Sequence, residues 1–219
     1  MTRREQGPAA PRVSAPDLPR ELSDGGPPTR GAESFQVRWT TLEAVTDAAH
    51  SAIAECAFDG VTVDRLDVGG ASLVDVELSG LRATALAGRS GRLRRVRFTG
   101  GRIGTLDLAD AEADEVELRG IRIDYLSLAG ARVEDLIVSG CTFGTLDMPQ
   151  ARLSRVAFHD SRADEVDTRG LRCEHVDLRG LEAVSYLDPA GLRGATLSPA
   201  QIEQLAPSLA AALGIRVEP

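Results

Sequence analysis

From Ser51 to Gly180 the chain can be written in tens without an insertion, and hydrophobic and polar positions recur in fixed columns through 13 consecutive decads. The decads VTVDRLDVGG, GRIGTLDLAD and LRCEHVDLRG show the pattern. The first, third, sixth and eighth columns make 52 positions, and none is charged. The third and sixth columns are apolar in every decad, and the eighth departs only at Gly88 and Thr168. The first and third columns repeat as the sixth and eighth, so the true period is five. Two inward residues flank one outward residue, which is the alternation of a strand. The next two residues are polar or glycine and turn the chain. A strand and a corner every five residues leave no room for hairpins. They build a coil of short parallel β-bridges whose units bury their apolar pair only by stacking.

A leucine-rich repeat is excluded. Ile103, Leu106 and Leu108 mimic its spacing, but the next copy arrives after ten residues, and that repeat needs about 20–29 for its return segment. The units Val176-Asp177-Leu178-Arg179-Gly180, Leu106-Asp107-Leu108 and Val116-Glu117-Leu118-Arg119-Gly120 resemble those of the pentapeptide-repeat proteins, whose consensus is A-(D/N)-L-x-x. The resemblance covers about residues 46–188. It implies an all-β fold, a right-handed quadrilateral β-helix with 20 residues per coil and a short C-terminal helical cap. Thirteen decads then make six and a half coils, a rod roughly 30 Å long at about 4.8 Å per stacked strand.

The flanks divide the chain further. Residues 1–34 hold six of the 11 prolines and few apolar residues, and read as a disordered Pro/Arg-rich tail. Residues 35–50 read as an N-terminal cap: Phe35, Val37 and Trp39 alternate as in a strand, and Thr41 to Ala49 suit a short helix. The β-helix occupies 51–188, and 189–219 form the cap. Ser198 and Gln201 read as a capping box with Pro199 at the first helical position. Pro207 is expected to divide this segment into helices at 199–205 and 207–213, stopped by Gly214, with Ile215 and Val217 returning as a strand. Ile202, Leu205 and Leu209 make its apolar side. That side reads as a lid on the last coil; the resemblance adds a homodimer interface as the other reading.

Charge turns this register into a surface map, because residues 20 apart stack. The net charge is -8, all 25 basic residues are arginine, and aromatics are only 4%. The acidic balance opposes direct nucleic-acid or anionic-membrane binding and admits a protein partner. One corner carries Glu55, Asp75, Asp114, Glu115, Glu134, Asp135 and Glu174. It is interrupted by an arginine band between residues 81 and 102 that includes Arg82, Arg92, Arg94, Arg95, Arg97 and Arg102 and no acid. These two sets are the candidate partner-binding residues. A second acidic column runs Asp67, Ala87, Asp107, Ser127, Asp147 and Asp167.

Chemistry is sparse. His50, His159 and His175 do not converge, and Cys56, Cys141 and Cys173 fall in inward columns as core residues. Gly88, where a core aliphatic belongs, marks a thin or dented coil beside the arginine band, either a packing adjustment or a small anion site. No catalytic site, cofactor or metal is expected. No apolar run is long enough for a transmembrane helix and no signal peptide is recognisable, so the expected location is cytoplasmic. The expected function is a non-catalytic scaffold presenting a rigid charged solenoid to a protein partner. The alternative comes from the resemblance: some pentapeptide-repeat proteins mimic B-DNA and bind type II topoisomerases such as gyrase.

Overall fold

The computed structural model describes residues 7–216. From Ala52 onward, strands of eight residues alternate with strands of six, as in Ala52–Asp59 followed by Thr62–Asp67. Every second strand pairs in parallel: Glu112–Arg119 with Arg92–Thr99 and Arg132–Ser139, and Arg102–Asp107 with Arg82–Ala87 and Arg122–Ser127. The partners are 20 residues apart throughout, as in Val116↔Leu136 and Leu106↔Leu126. The result is a β-solenoid of about eight coils with two parallel ladders.

The inward columns fill the interior. Ile53, Cys56, Phe58, Leu66, Ile103, Leu106, Ile123, Phe143 and Leu146 are all buried in one continuous core. Thr168, the polar exception in the eighth column, is also buried, and its hydroxyl donates to the carbonyls of Leu187 (2.9 Å) and Asp188 (2.7 Å). That satisfies a group otherwise costly to bury. At Gly88 the space is taken from the next coil: Leu108 Cδ2 lies 2.9 Å from where a Cβ would stand. The surroundings are Phe58, Leu66, Val68 and Leu108, so this spot is packed and apolar and does not suit an anion.

Both ends extend beyond six and a half coils. Residues 33–39 form two short strands, Glu33–Phe35 and Val37–Trp39, bent at Gln36 (φ 56°), and pair with Ala52–Asp59 at an offset of 19. Val45–Asp47 is a strand paired with Thr62–Asp67, where the sequence also admitted a helix. Trp39 is buried, packs on Phe58 at a centroid distance of 4.6 Å and donates Nε1–H to the Gly26 carbonyl at 2.8 Å. It closes the first open end. At the other end Ala195–Thr196 adds a rung to Arg172–Asp177.

One continuous helix, Pro199–Ala212, replaces the two expected. Proline removes one rung, to the carbonyl of Glu203, and this side of the helix faces solvent, where water substitutes. The capping box at Ser198 and Gln201 is present. Gln201 also donates Nε2–H to the carbonyls of Leu178 and Leu181, both at 2.8 Å, and so ties the helix to the last coil. Leu205 is buried and Leu209 packs on the core, but Ile202 points outward, so the lid is narrower than its spacing implied. Gly214 turns the chain at φ +73°; Ile215 is not in a strand, and Val217 lies outside the described residues.

Candidate functional site, a charged corner and its strap

The eight-residue strands bend at their middle, where one residue per coil adopts the left-handed conformation: Glu55, Asp75, Arg95, Glu115, Asp135, Arg155 and His175, with φ between 50° and 55°. Gln36 holds the same place in the first coil. Glycine is the residue that takes this conformation without strain. It does so at another corner, at Gly60, Gly80, Gly100, Gly120 and Gly140. The bend at residue 55 and its equivalents carries a polar or charged side chain in every coil instead. Left-handed non-glycine residues cost about 1–3 kcal/mol each and mark places where a side chain is required.

The column is linked along the rod. Gln36 Nε2 donates to Glu55 Oε2 at 2.6 Å. Arg95 grips Asp75 with two parallel bonds, Nε to Oδ1 and Nη2 to Oδ2. Arg155 does the same to Asp135 at 2.7 Å for both bonds and also pairs with Glu134. The carboxylates of Asp75 and Asp135 are nearly enclosed, at 7% side-chain exposure each, so these pairs exceed ordinary surface ion pairs. Their arginine hydrogen bonds hold both carboxyls below the ordinary carboxylate value. Asp114 goes the other way: burial, then the charges of Glu115, Glu134 and Asp135, push it up.

Residues 7–22, which the sequence read within a disordered tail, lie along this corner as an extended strap. Three backbone N–H groups meet three corner carboxylates: Arg12 to Asp135 Oδ1 (2.8 Å), Ser14 to Glu115 Oε2 (3.0 Å) and Asp17 to Asp75 Oδ1 (2.9 Å). The spacing is commensurate. Residues 12 to 17 cross three coils, about 14 Å of stacked strand, and five residues of polyproline-type chain span about 15 Å. Pro11, Val13, Pro16 and Leu18 are half-buried, while Arg12, Ser14, Ala15 and Asp17 are exposed. The inward pairs repeat at five, as in the rod, and Pro16-Asp17-Leu18-Pro19-Arg20 resembles one of its units. That signal was present in the sequence and was masked by the prolines.

The arginine band is not a free cationic surface. Arg92 pairs with Glu112, Arg95 with Asp75, Arg97 with Glu117 and Arg102 with Asp124. Each partner stands 20 or 22 residues away, one coil along. Arg94 and Arg82 make no ion pair within 4.0 Å among the described residues. Beside the corner, Arg92, Arg94, Asp114, Glu134 and Glu174 flank a groove of about 640 Å³. Arg82 and Arg102 flank a different one with Asp64 and Asp124. The structure therefore brings Asp75, Arg95, Glu115 and Asp135 together under the strap and separates Arg82, Arg97 and Arg102 from them. Glu117, Asp124 and Arg155, absent from the candidate set, complete the ion pairs. The second acidic column is used for turning: Asp67, Asp107 and Asp167 each accept the N–H of the residue two on.

Both ladders keep every inward pair of the five-residue unit in register over the whole stack. The chain is a pentapeptide-repeat β-solenoid. No family model matches this pentapeptide-repeat chain, and no curated protein matches it. Among solved structures it is similar to QnrB1, a plasmid-mediated fluoroquinolone resistance protein. A trypsin-treated form shares 16% identity over 91% of this chain and 97% of that one, with a TM-score of 0.38. The full-length form shares 17% over 81% and 99%, with a TM-score of 0.31.

Reactive chemistry is scarce on the solenoid. Among the described residues no three His, Cys, Asp or Glu side chains are grouped to hold a metal ion. Cys56 and Cys141 are buried free thiols, and Cys173 is half-buried, all with raised pKa values; burial pushes Cys173 up to about 11. A protonated thiol is a poor nucleophile and a poor ligand. No helix among the described residues is long and apolar enough to cross a membrane.

Proposed function

We propose that this chain is a non-catalytic scaffold that presents its charged corner to a protein partner in the cytoplasm. The single observation that carries the reading is the corner itself: seven successive coils from Glu55 to His175 place a charged or titratable side chain where glycine is conformationally cheapest. Three free cysteines fit a reducing compartment. Solvent-exposed Val184, Leu187, Ile202 and Leu213 near the C-terminal helix supply a contact for a second copy.

The test is affinity capture from native cytosol with three baits: the natural chain, a corner variant (E115Q, E134Q, E174Q) and a band variant (R82Q, R92Q, R102Q). The reading expects a partner retained by the natural and band baits and lost from the corner bait. Equal recovery on all three would remove the corner from the function.

Mimicry of DNA toward a topoisomerase is the second reading, favoured by a net charge of -8 on a narrow rod. Pairing of the corner and band charges works against a uniformly DNA-like potential. A gyrase supercoiling assay separates the two: unchanged activity at micromolar protein sinks this second reading, and salt-sensitive inhibition or protection replaces the first with it.

A further inference from the structure

We propose that the strap, residues 7–22, is an intramolecular ligand of the corner, and that it holds the place of an extended, proline-containing segment of the partner protein. The inference rests on the corner being the partner face. It adds the kind of segment recognised and the means by which access is controlled.

The strap shows what the corner binds. All three contacts to corner carboxylates use backbone N–H donors, and none uses a strap side chain. Such recognition reads an extended backbone, not one particular sequence. A polyproline-type segment suits it because its remaining N–H groups have no partner within the chain. The corner repeats at one carboxylate or arginine per coil, which matches the reach of such a segment. The acceptors are held in place: Arg95 fixes Asp75 and Arg155 fixes Asp135 before the strap arrives. Side-chain specificity comes from the half-buried first and third residues of each unit, Pro11 with Val13 and Pro16 with Leu18.

The strap is also fit to be displaced. It belongs to no strand between Gly7 and Leu22, and four of its residues are prolines that form no ladder. The rod beneath it keeps its own core. Tethering gives the strap a local concentration of roughly millimolar order. A separate segment of equal affinity therefore competes poorly until the strap is released or altered.

The test uses a fluorescein-labelled peptide of residues 7–22 and three full-length chains, with anisotropy as the readout and circular dichroism to verify the fold. The first chain is natural. The second carries V13D and L18D, which weaken the resident strap and leave the corner intact. The third adds D75A, E115A and D135A. The proposal expects saturable binding to the second chain, at least tenfold weaker binding to the natural chain, and at least tenfold weaker binding to the third. No binding to the folded second chain overturns it, and so does binding of equal strength to all three. Cytosolic capture with the second chain keeps the two readings apart. Peptide binding without any captured protein refutes the scaffold role while the strap remains a corner ligand. Corner-dependent capture without peptide binding refutes the strap as a ligand while the scaffold role stands.

Discussion

Arg95 holds Asp75 across one coil of the solenoid, Nε to Oδ1 at 2.6 Å and Nη2 to Oδ2 at 2.5 Å. The same carboxylate accepts the backbone N–H of Asp17. A single residue thus joins the stacking of coils, the left-handed corner and the strap. Replacing Arg95 with methionine leaves an enclosed carboxylate with one donor, and should cost about 1–3 kcal/mol at neutral pH. Arg94→Met, which breaks no ion pair, is the control and should cost much less. Thermal unfolding of both variants at pH 7 measures the difference.

The same pair governs behaviour in acid. Hydrogen bonding to Arg95 lowers the Asp75 carboxyl below its ordinary value of 3.8. A depressed carboxyl stabilises the fold above the unfolded value and loses that contribution as pH falls through the folded one. Asp135, lowered by Arg155, follows the same sign. The natural chain should therefore stay folded to a lower pH than Arg95→Met in an acid titration followed by circular dichroism. Coincident curves would mean that the pair is not formed.

Asp114 is expected to act in the opposite direction. Its carboxyl is raised by burial and by Glu115, Glu134 and Asp135, so its ionised form is penalised in the fold. That penalty grows as pH rises from the unfolded value through the raised folded one. Asp114→Asn should raise the thermal midpoint at pH 7 by about 1–3 °C and change it little near pH 3. A fall at pH 7 would show that Asp114 has a partner worth more than its desolvation.

Two adjacent glycines should respond differently to alanine. At Gly101 (φ +86°) a Cβ would stand 2.2 Å from the Leu81 carbonyl oxygen, whereas at Gly100 (φ +61°) it meets open space. Gly100→Ala should cost only the left-handed penalty, about 1 kcal/mol. Gly101→Ala forces backbone apart and should exceed about 3 kcal/mol. Equal thermal shifts would contradict the close stacking of these coils.

Much of the fold is legible because the stacking rule is simple. Leu66, Leu86, Leu106, Leu126 and Leu146 share a column in the sequence and a stack in the structure. The rule hides where register slips. An offset of 19 places Ser34 over Ile53 and Trp39 over Phe58, so the first coil escapes a reading in strict tens. Thr46 in an inward place conceals the next strand. The candidate corner was visible as a run of charge, yet its conformation was not, since no sequence pattern says that Glu115 is left-handed. The pairing of the arginine band was missed for a related reason. Arg102 reaches Asp124, two residues beyond its stacking partner, along a diagonal that a column map omits.

Hydrogen–deuterium exchange of residues 7–22 in the natural chain, beside a chain carrying D75A, E115A and D135A, tests the corner and its strap most directly. Exchange at Arg12, Ser14 and Asp17 should be slowed at least tenfold relative to a free peptide of the same sequence. It should return to the free rate in the variant, while strands such as Glu112–Arg119 stay protected. Free-peptide exchange of this segment in the natural chain would contradict the account at its centre.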